Sequence, residues 1–227
     1  MPISTTFHPG VEIIFDHFKG LSTTQQAQFE QLGTIYQEWN AKLNLISRKD
    51  FPNLYLKHVL HALSIAKLIP FKSGTKVLDV GTGGGFPGIP LAIFFPQVHF
   101  HLVDSMAKKI HAVQAIAETL ELKNVTMQIV RVENLAQQYD FILGRAVTNL
   151  EVFYNWVKDK IAVTSINTIP NGILYLKGDE TAQLKQSYRI YPLNQYFDDP
   201  FFETKQLIHI PQIQYSNKKF VDTLKKA

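Results

Sequence analysis

A short apolar run, KVLDV (76–80), leads directly into four glycines within five positions, in the stretch VLDVGTGGGFPGIPL (77–91). Glycine costs conformational entropy on folding, so a cluster this dense marks a sharp turn and close approach to the backbone. A strand that ends in such a loop and continues into a helix opens a βαβ unit. The rest of the chain fits that opening. Apolar runs recur as VHFHLVD, VTMQIV, YDFILG and ILYLKG. Between the second and third strands, SMAKKIHAVQAIAETLEL carries Met106, Ile110, Val113, Ala117 and Leu120 at helical spacing, with Ser105 as the expected cap. Alternating strands and helices predict a parallel sheet covered on both faces. After Lys177, YRIYPLNQYF and QLIHIPQI read as an antiparallel closing hairpin.

The first part of the chain is helical in pattern. STTQQAQFEQLGTIYQEWNAKL has Gln three positions after both Ser22 and Thr23, a capping box, and then Phe29, Leu32, Tyr36, Trp39 and Leu43 on one face. A second helix is expected after Pro52, with Tyr55, Val59, Ala62, Leu63, Ala66 and Ile69 on its apolar face and Pro70 at its end. The expected fold class is α/β: a doubly wound sheet, mostly parallel with a C-terminal antiparallel hairpin, plus a helical N-terminal extension. The extension covers residues 1–72, packed on a core of residues 73–227.

Composition narrows the function. The chain has 227 residues and no cysteine, which removes disulfides, thiolate zinc sites and a cysteine nucleophile. A reducing, cytoplasmic setting fits, and a monomer is expected. No run approaches the roughly 18 apolar residues that span a bilayer. MPISTTFHPG lacks the features of a signal peptide. The formal charge of +4 permits a polyanionic partner without demanding one.

The glycine loop satisfies two patterns. Gly83, Gly85 and Gly88 match G-x-G-x-x-G, the dinucleotide fingerprint; Asp79, Gly81, Gly83 and Gly85 match D-x-G-x-G-x-G, the pattern of S-adenosylmethionine-dependent methyltransferases. Asp104, at the end of the second strand, suits ribose hydroxyls in either. A diphosphate needs free N–H groups at a helix start, yet Pro87 and Pro90 lie there. A sulfonium donor needs no such groups, and Asp79 suits it better than a nicotinamide.

Across Trp39 to Gly178 the ordered motifs WNAKLNLIS, KHVLHAL, DVGTGGGFPGIPLAI, LVDSMAKKIHAV, RVENL, GRAVTNL and YLKG resemble the bacterial ribosomal small-subunit methyltransferase G family, also called glucose-inhibited division protein B. The resemblance implies a class I, Rossmann-like methyltransferase core. It also implies methyl transfer from S-adenosylmethionine to N7 of a guanine in the decoding-region loop of 16S rRNA, with 16S rRNA or the small subunit as partner and S-adenosylhomocysteine as product. It departs from the family at Gly84, often proline, at Phe86, often leucine, and at His61-Ala62, where an acid and serine are common.

The resemblance places Gly81 and Phe86 along the donor, Asp104 at its ribose, Val132 and Glu133 at its adenine, and Arg145 near its methionine end or the transferred methyl. Arg131, Arg145 and Lys177 are the candidate cations for gathering the base and its phosphates. Guanine N7 carries a free lone pair, so alignment matters more than proton transfer. An arginine bonded to both N7 and O6 would occupy the nucleophile, so a cation near the base is expected on O6 or phosphate. Two further readings stand beside this one: a nicotinamide-dependent oxidoreductase, and an RNA-binding module without catalysis. His99 with His101, and His58 with His61, read as structural histidines, and no metal is expected. Asn44 and Phe51 are candidates to face the site; Tyr55 fits the core better. The basic tail NKKFVDTLKKA reads as a solvated segment or an RNA contact.

Overall fold

The computed structural model describes residues 10–178 and 184–212. The tail NKKFVDTLKKA lies outside them. Seven strands form one sheet: β1 (Lys76–Val80), β2 (His99–Asp104), β3 (Val125–Ile129), β4 (Phe141–Arg145), β5 (Gly172–Lys177), β6 (Arg189–Pro192) and β7 (Gln206–Pro211). Their order is β3-β2-β1-β4-β5-β7-β6. The first five are parallel; β7 runs antiparallel to both β5 and β6. The closing hairpin is therefore present, with its second strand inserted between β5 and β6.

Alternation along the strands fills two layers. Val77, Leu143, Leu174 and Leu207 join one core, while Leu78, Ile142, Ile173 and Ile208 join the other. The first core takes in residues of α1 (Glu12–His17), α2 (Thr23–Lys42), α3 (His61–Leu68), α4 (Gly88–Phe94) and α5 (Ala107–Thr119). The second is covered by α6 (Leu150–Val157) and the turn at 132–135. Edge strand β3 alternates polar Thr126 and Gln128 with apolar residues, as a strand with one open side must.

The N-terminal helices share the sheet's core. Ser22 and Gln25 form the expected capping box of α2, and Phe29, Leu32 and Tyr36 are fully buried. Gln25 also donates to the Ile93 and Phe94 carbonyls, and Gln28 to the Leu120 carbonyl. These are last-turn carbonyls of α4 and α5, which have no partner within their own helices.

Three local expectations are corrected. Residues 54–60 wind as a π-helical turn before α3 rather than as one regular α-helix. The turn is pinned at two points: Tyr55 Oη donates to the Phe29 carbonyl of α2, and His58 meets Arg145 of β4. Ser105 does not cap α5; the chain leaves β2 with the Asp104 carboxylate accepting the Met106 amide, and no side chain caps the helix. Met106 therefore precedes the helix and is 51 % exposed rather than part of its core face. Ile110, Val113, Ala117 and Leu120 are buried as expected.

Candidate active site

The parallel strands all end on one edge, and the glycine loop lies at its centre, between β1 and α4. Asp79 builds the loop from below. Its side chain is fully buried; Oδ2 accepts the Thr82 hydroxyl at 2.6 Å and the Gly88 amide at 3.0 Å, while Oδ1 has no partner. Burial raises its pKa to about 7, against the Thr82 and Gly88 hydrogen bonds. Tyr36 reaches over from α2 and donates to the Gly84 carbonyl at 2.6 Å.

Two glycines show which way the loop opens. Both have positive φ, +58° at Gly83 and +90° at Gly85. A Cβ on Gly85 would come within 2.7 Å of Ile89 Cγ1 and 3.1 Å of Tyr36 Oη, so this glycine faces packed protein. A Cβ on Gly83 would meet only the Gly81 carbonyl, at 3.8 Å. Gly83 is the position where a ligand can come against the backbone. Its amide donates to Asp104 Oδ2 at 3.0 Å.

The start of α4 offers little to a diphosphate. The Gly88 amide is taken by Asp79, the Ile89 amide by the Gly85 carbonyl, and Pro90 has none. The loop admits a ligand that needs close backbone contact and few N–H donors. That is the demand of a sulfonium nucleoside rather than a dinucleotide.

A cleft of about 350 Å³ adjoins the loop, lined by Gly81–Gly84 and Phe86 on one side and by Arg145, Lys177 and Lys205 on another. Arg145 is its best-defined cation. Its guanidinium lies over the Phe86 ring, 5.1 Å from the centroid, and Nη2 donates to His58 Nδ1 at 3.1 Å. Accepting that bond requires neutral His58; burial first, then Arg145, lowers its pKa to about 4. No carboxylate among the described residues lies within ion-pair distance of Arg145. Burial lowers its pKa to about 10, which leaves it charged at neutral pH. The next residue, Ala146, holds φ +53°, a strained conformation of the kind found at ligand sites. Tyr175 Oη fixes the following segment, accepting from the Val147 amide and donating to the Thr148 carbonyl.

The family model described as rRNA small subunit methyltransferase G matches residues 25–199. The chain belongs to that family. It is 53 % identical over 204 residues to the "Ribosomal RNA small subunit methyltransferase G" of Flavobacterium psychrophilum, covering 88 % of this chain and 98 % of that one. To the protein of the same name from Bacteroides thetaiotaomicron it is 47 % identical, covering 88 % and 98 %. The fold is that of a SAM-dependent methyltransferase from Aquifex aeolicus, with TM-score 0.51 at 14 % identity, over 71 % of this chain and 94 % of that one.

Against this family frame, the site residues expected from the sequence fall into two groups. Gly81, Gly83, Phe86, Arg145 and Lys177 line the cleft; Gly85 packs inward and Asp79 supports from beneath. Asp104, Val132 and Glu133 lie further along the same edge, toward β3. Asp104 accepts from Gly83 and Met106 and keeps lone pairs for further donors. Val132 is buried, while Glu133 and Arg131 are exposed. Arg131 follows β3, three places from β4 in the sheet, or roughly 14 Å at ordinary strand spacing. The structure does not bring it together with Arg145 and Lys177. Lys205 stands there instead: Lys177 pairs with Gln206, and Lys205 is the residue before.

Leu45, Phe201 and Lys205 line the cleft without a place among the sequence expectations, and His61, read there as structural, lines it too. Met106 and Ile129, both exposed apolar residues beside Asp104, are another pair. Exposure of large side chains at a strand-end edge was the missing signal. Asn44 is exposed at the end of α2, and Tyr55 is core. His101 bonds Tyr139 Oη at 2.6 Å, and among the described residues no group of three or more His, Cys, Asp or Glu is placed to hold a metal. No described helix is long and apolar enough to cross a membrane.

Proposed function

We propose that this chain is a cytoplasmic, monomeric enzyme that methylates N7 of one guanine in the decoding-region loop of 16S rRNA, with S-adenosylmethionine as donor. The observation that carries the reading is Arg145: a guanidinium with no carboxylate partner among the described residues, fixed by His58 and Phe86 beside the open face of the glycine loop.

The residues present fit the donor. Gly83 leaves the backbone open to its methionine half, and Asp104 has acceptor capacity for ribose hydroxyls. Met106, Ile129 and Val132 offer an apolar shelf for adenine, with Glu133 at its margin. When bound, the donor supplies an electrophilic methyl on sulfur. Asp79 holds the loop through Thr82 and Gly88, so that Gly81 and Phe86 keep one geometry. His58 holds Arg145 in place without neutralising it. Arg145 polarises O6 of the base or contacts its phosphate, leaving N7 free to attack. Lys177 and Lys205 neutralise RNA phosphate at the cleft mouth. Arg131 is assigned a phosphate contact outside the cleft. Alignment of this kind can supply roughly 7–11 kcal/mol of barrier reduction, and no proton has to be removed from N7 first.

The test uses small-subunit RNA and tritiated donor. Borohydride reduction followed by aniline cleaves RNA at an N7-methylated guanine. The expected result is stoichiometric label and one cleavage in the decoding-region loop. Label with no aniline-sensitive site, or no label at all in RNA or subunit, would overturn the reading.

A further inference from the structure

The cleft's charged lining is made almost wholly of donors. Arg145, Lys177 and Lys205 carry no acceptor on their side chains. The one lone pair His58 presents is used by Arg145. His61 differs. It lies on α3, lines the same cleft, and is only 7 % exposed. Its ring stands edge-on to Phe201, with centroids 5.4 Å apart, and to Phe202 at 6.2 Å. Its Nε2 is buried with no hydrogen-bond partner. The Lys57 carbonyl, one turn back, can only accept and acts on the ring, which favours the proton on Nδ1. Burial first, then Arg145 and Lys205, holds the ring well below its ordinary pKa. Nε2 is thus an unused lone pair on a ring that lines a cleft of cations, and an unpaired buried polar atom is costly unless a ligand satisfies it.

The ligand must carry an N–H donor beside an acceptor. Guanine does so on its Watson–Crick edge, where N1–H lies next to O6. Adenine reverses the pair, with an amino donor at C6 and a lone pair at N1. A guanidinium toward O6 and a ring lone pair toward N1–H read guanine and repel adenine. We infer that His61 Nε2 accepts a hydrogen bond from the Watson–Crick edge of the target guanine and, with Arg145, makes the site specific for guanine. This rests on the proposed methylation of a guanine. His61 is a specificity residue here; it takes no part in the transfer itself.

The experiment compares RNA fragments carrying guanine or adenine at the methylated position, since both bases keep the N7 lone pair. The parent should prefer guanine by more than tenfold in kcat/KM. His61→Phe keeps the ring and its packing on Phe201 and Phe202 but removes the acceptor. It should bind S-adenosylhomocysteine like the parent and lose roughly 10- to 100-fold on guanine, mainly through KM for RNA, with little change on adenine. His61→Gln, which restores an acceptor, should recover part of the loss. If His61→Phe does not fold, His61→Leu takes its place. A parent that methylates both bases equally overturns the inference without any variant. So does a His61→Phe enzyme with unchanged preference. A parent that transfers no methyl to RNA overturns the proposed function instead, and this inference with it.

Discussion

The two ends of the cleft are built differently. The proposed donor end is mainly one continuous piece of chain, β1, the glycine loop and α4, with Asp104, Met106 and the residues at the end of β3 beside it. The far end is assembled from distant segments: His58 and His61 before the sheet, Arg145 and Lys177 from its centre, and Phe201 and Lys205 from the segment that precedes β7. The donor end is held by backbone amides and a buried carboxylate. The far end is held by ring packing and by a cation with no ion-pair partner among the described residues. A nucleoside donor common to many enzymes can be met by one local motif; a particular base in a particular RNA needs groups that only tertiary folding brings together.

Substitutions should separate the two ends. The largest effect is expected for Arg145→Ala. It should lower methyl transfer by roughly 100- to 1000-fold, the scale of losing one preorganised donor at a reacting group. S-adenosylhomocysteine affinity should stay within a few-fold of the parent. Parallel calorimetry and tritium transfer check this, and equal losses in both would erase the division.

Next comes Asp104→Asn at the donor end. The loss of a charged acceptor should weaken S-adenosylhomocysteine binding by roughly 10- to 100-fold. Filter binding of RNA in the absence of donor should not change. An unaltered calorimetric isotherm in a folded variant would take Asp104 out of the site.

A third effect concerns pH and the support beneath the loop. The folded-state pKa of Asp79 is raised from 3.8 to about 7, chiefly by burial. Its protonated form is thus favoured in the folded protein, a contribution present below the unfolded pKa and lost as pH rises through the folded one. The stability of the parent relative to Asp79→Asn should fall between about pH 4 and pH 7, by up to roughly 4 kcal/mol. Denaturant melts across that window measure it. A difference that grows with pH would mean the carboxylate is stabilised in its charged form.

The smallest effect is at the mouth. Lys177→Ala should reduce the salt slope of RNA binding by about one unit, as for one phosphate contact, and cost transfer only modestly. Filter binding over a salt series reads it directly. An unchanged slope would place the RNA backbone on another face.

Legibility in the sequence follows the same division. β1 falls at Lys76–Val80, where the apolar run predicts it, because a buried central strand needs continuous apolar residues and a glycine loop ends it sharply. The capping box at Ser22 is equally local. Met106 was misplaced because helical spacing extends one step past the true start of α5, and the Asp104 carboxylate, not Ser105, governs that start. His58 and His61 read only as structural histidines because spacing alone says nothing of Arg145, 87 positions from His58, or of the Phe201 edge. Lys205 was invisible for the same reason: only the antiparallel pairing of β7 on β5 carries it to Lys177. Arg131 illustrates the converse. Its position after a strand is right for a site, but sheet order sets it apart from the other cations.

The central claim is that the loop opens at Gly83 to a sulfonium nucleoside and not to a dinucleotide. Calorimetry with S-adenosylhomocysteine, NADH and NADPH, on the parent and on Gly83→Val, tests it most directly. The variant places a branched side chain at φ +58°, at a cost to stability of about 1–3 kcal/mol, and fills the open approach. The account predicts that the parent binds S-adenosylhomocysteine and neither nicotinamide, and that folded Gly83→Val binds none of the three. Nicotinamide binding by the parent, or undiminished S-adenosylhomocysteine binding by Gly83→Val, would contradict it.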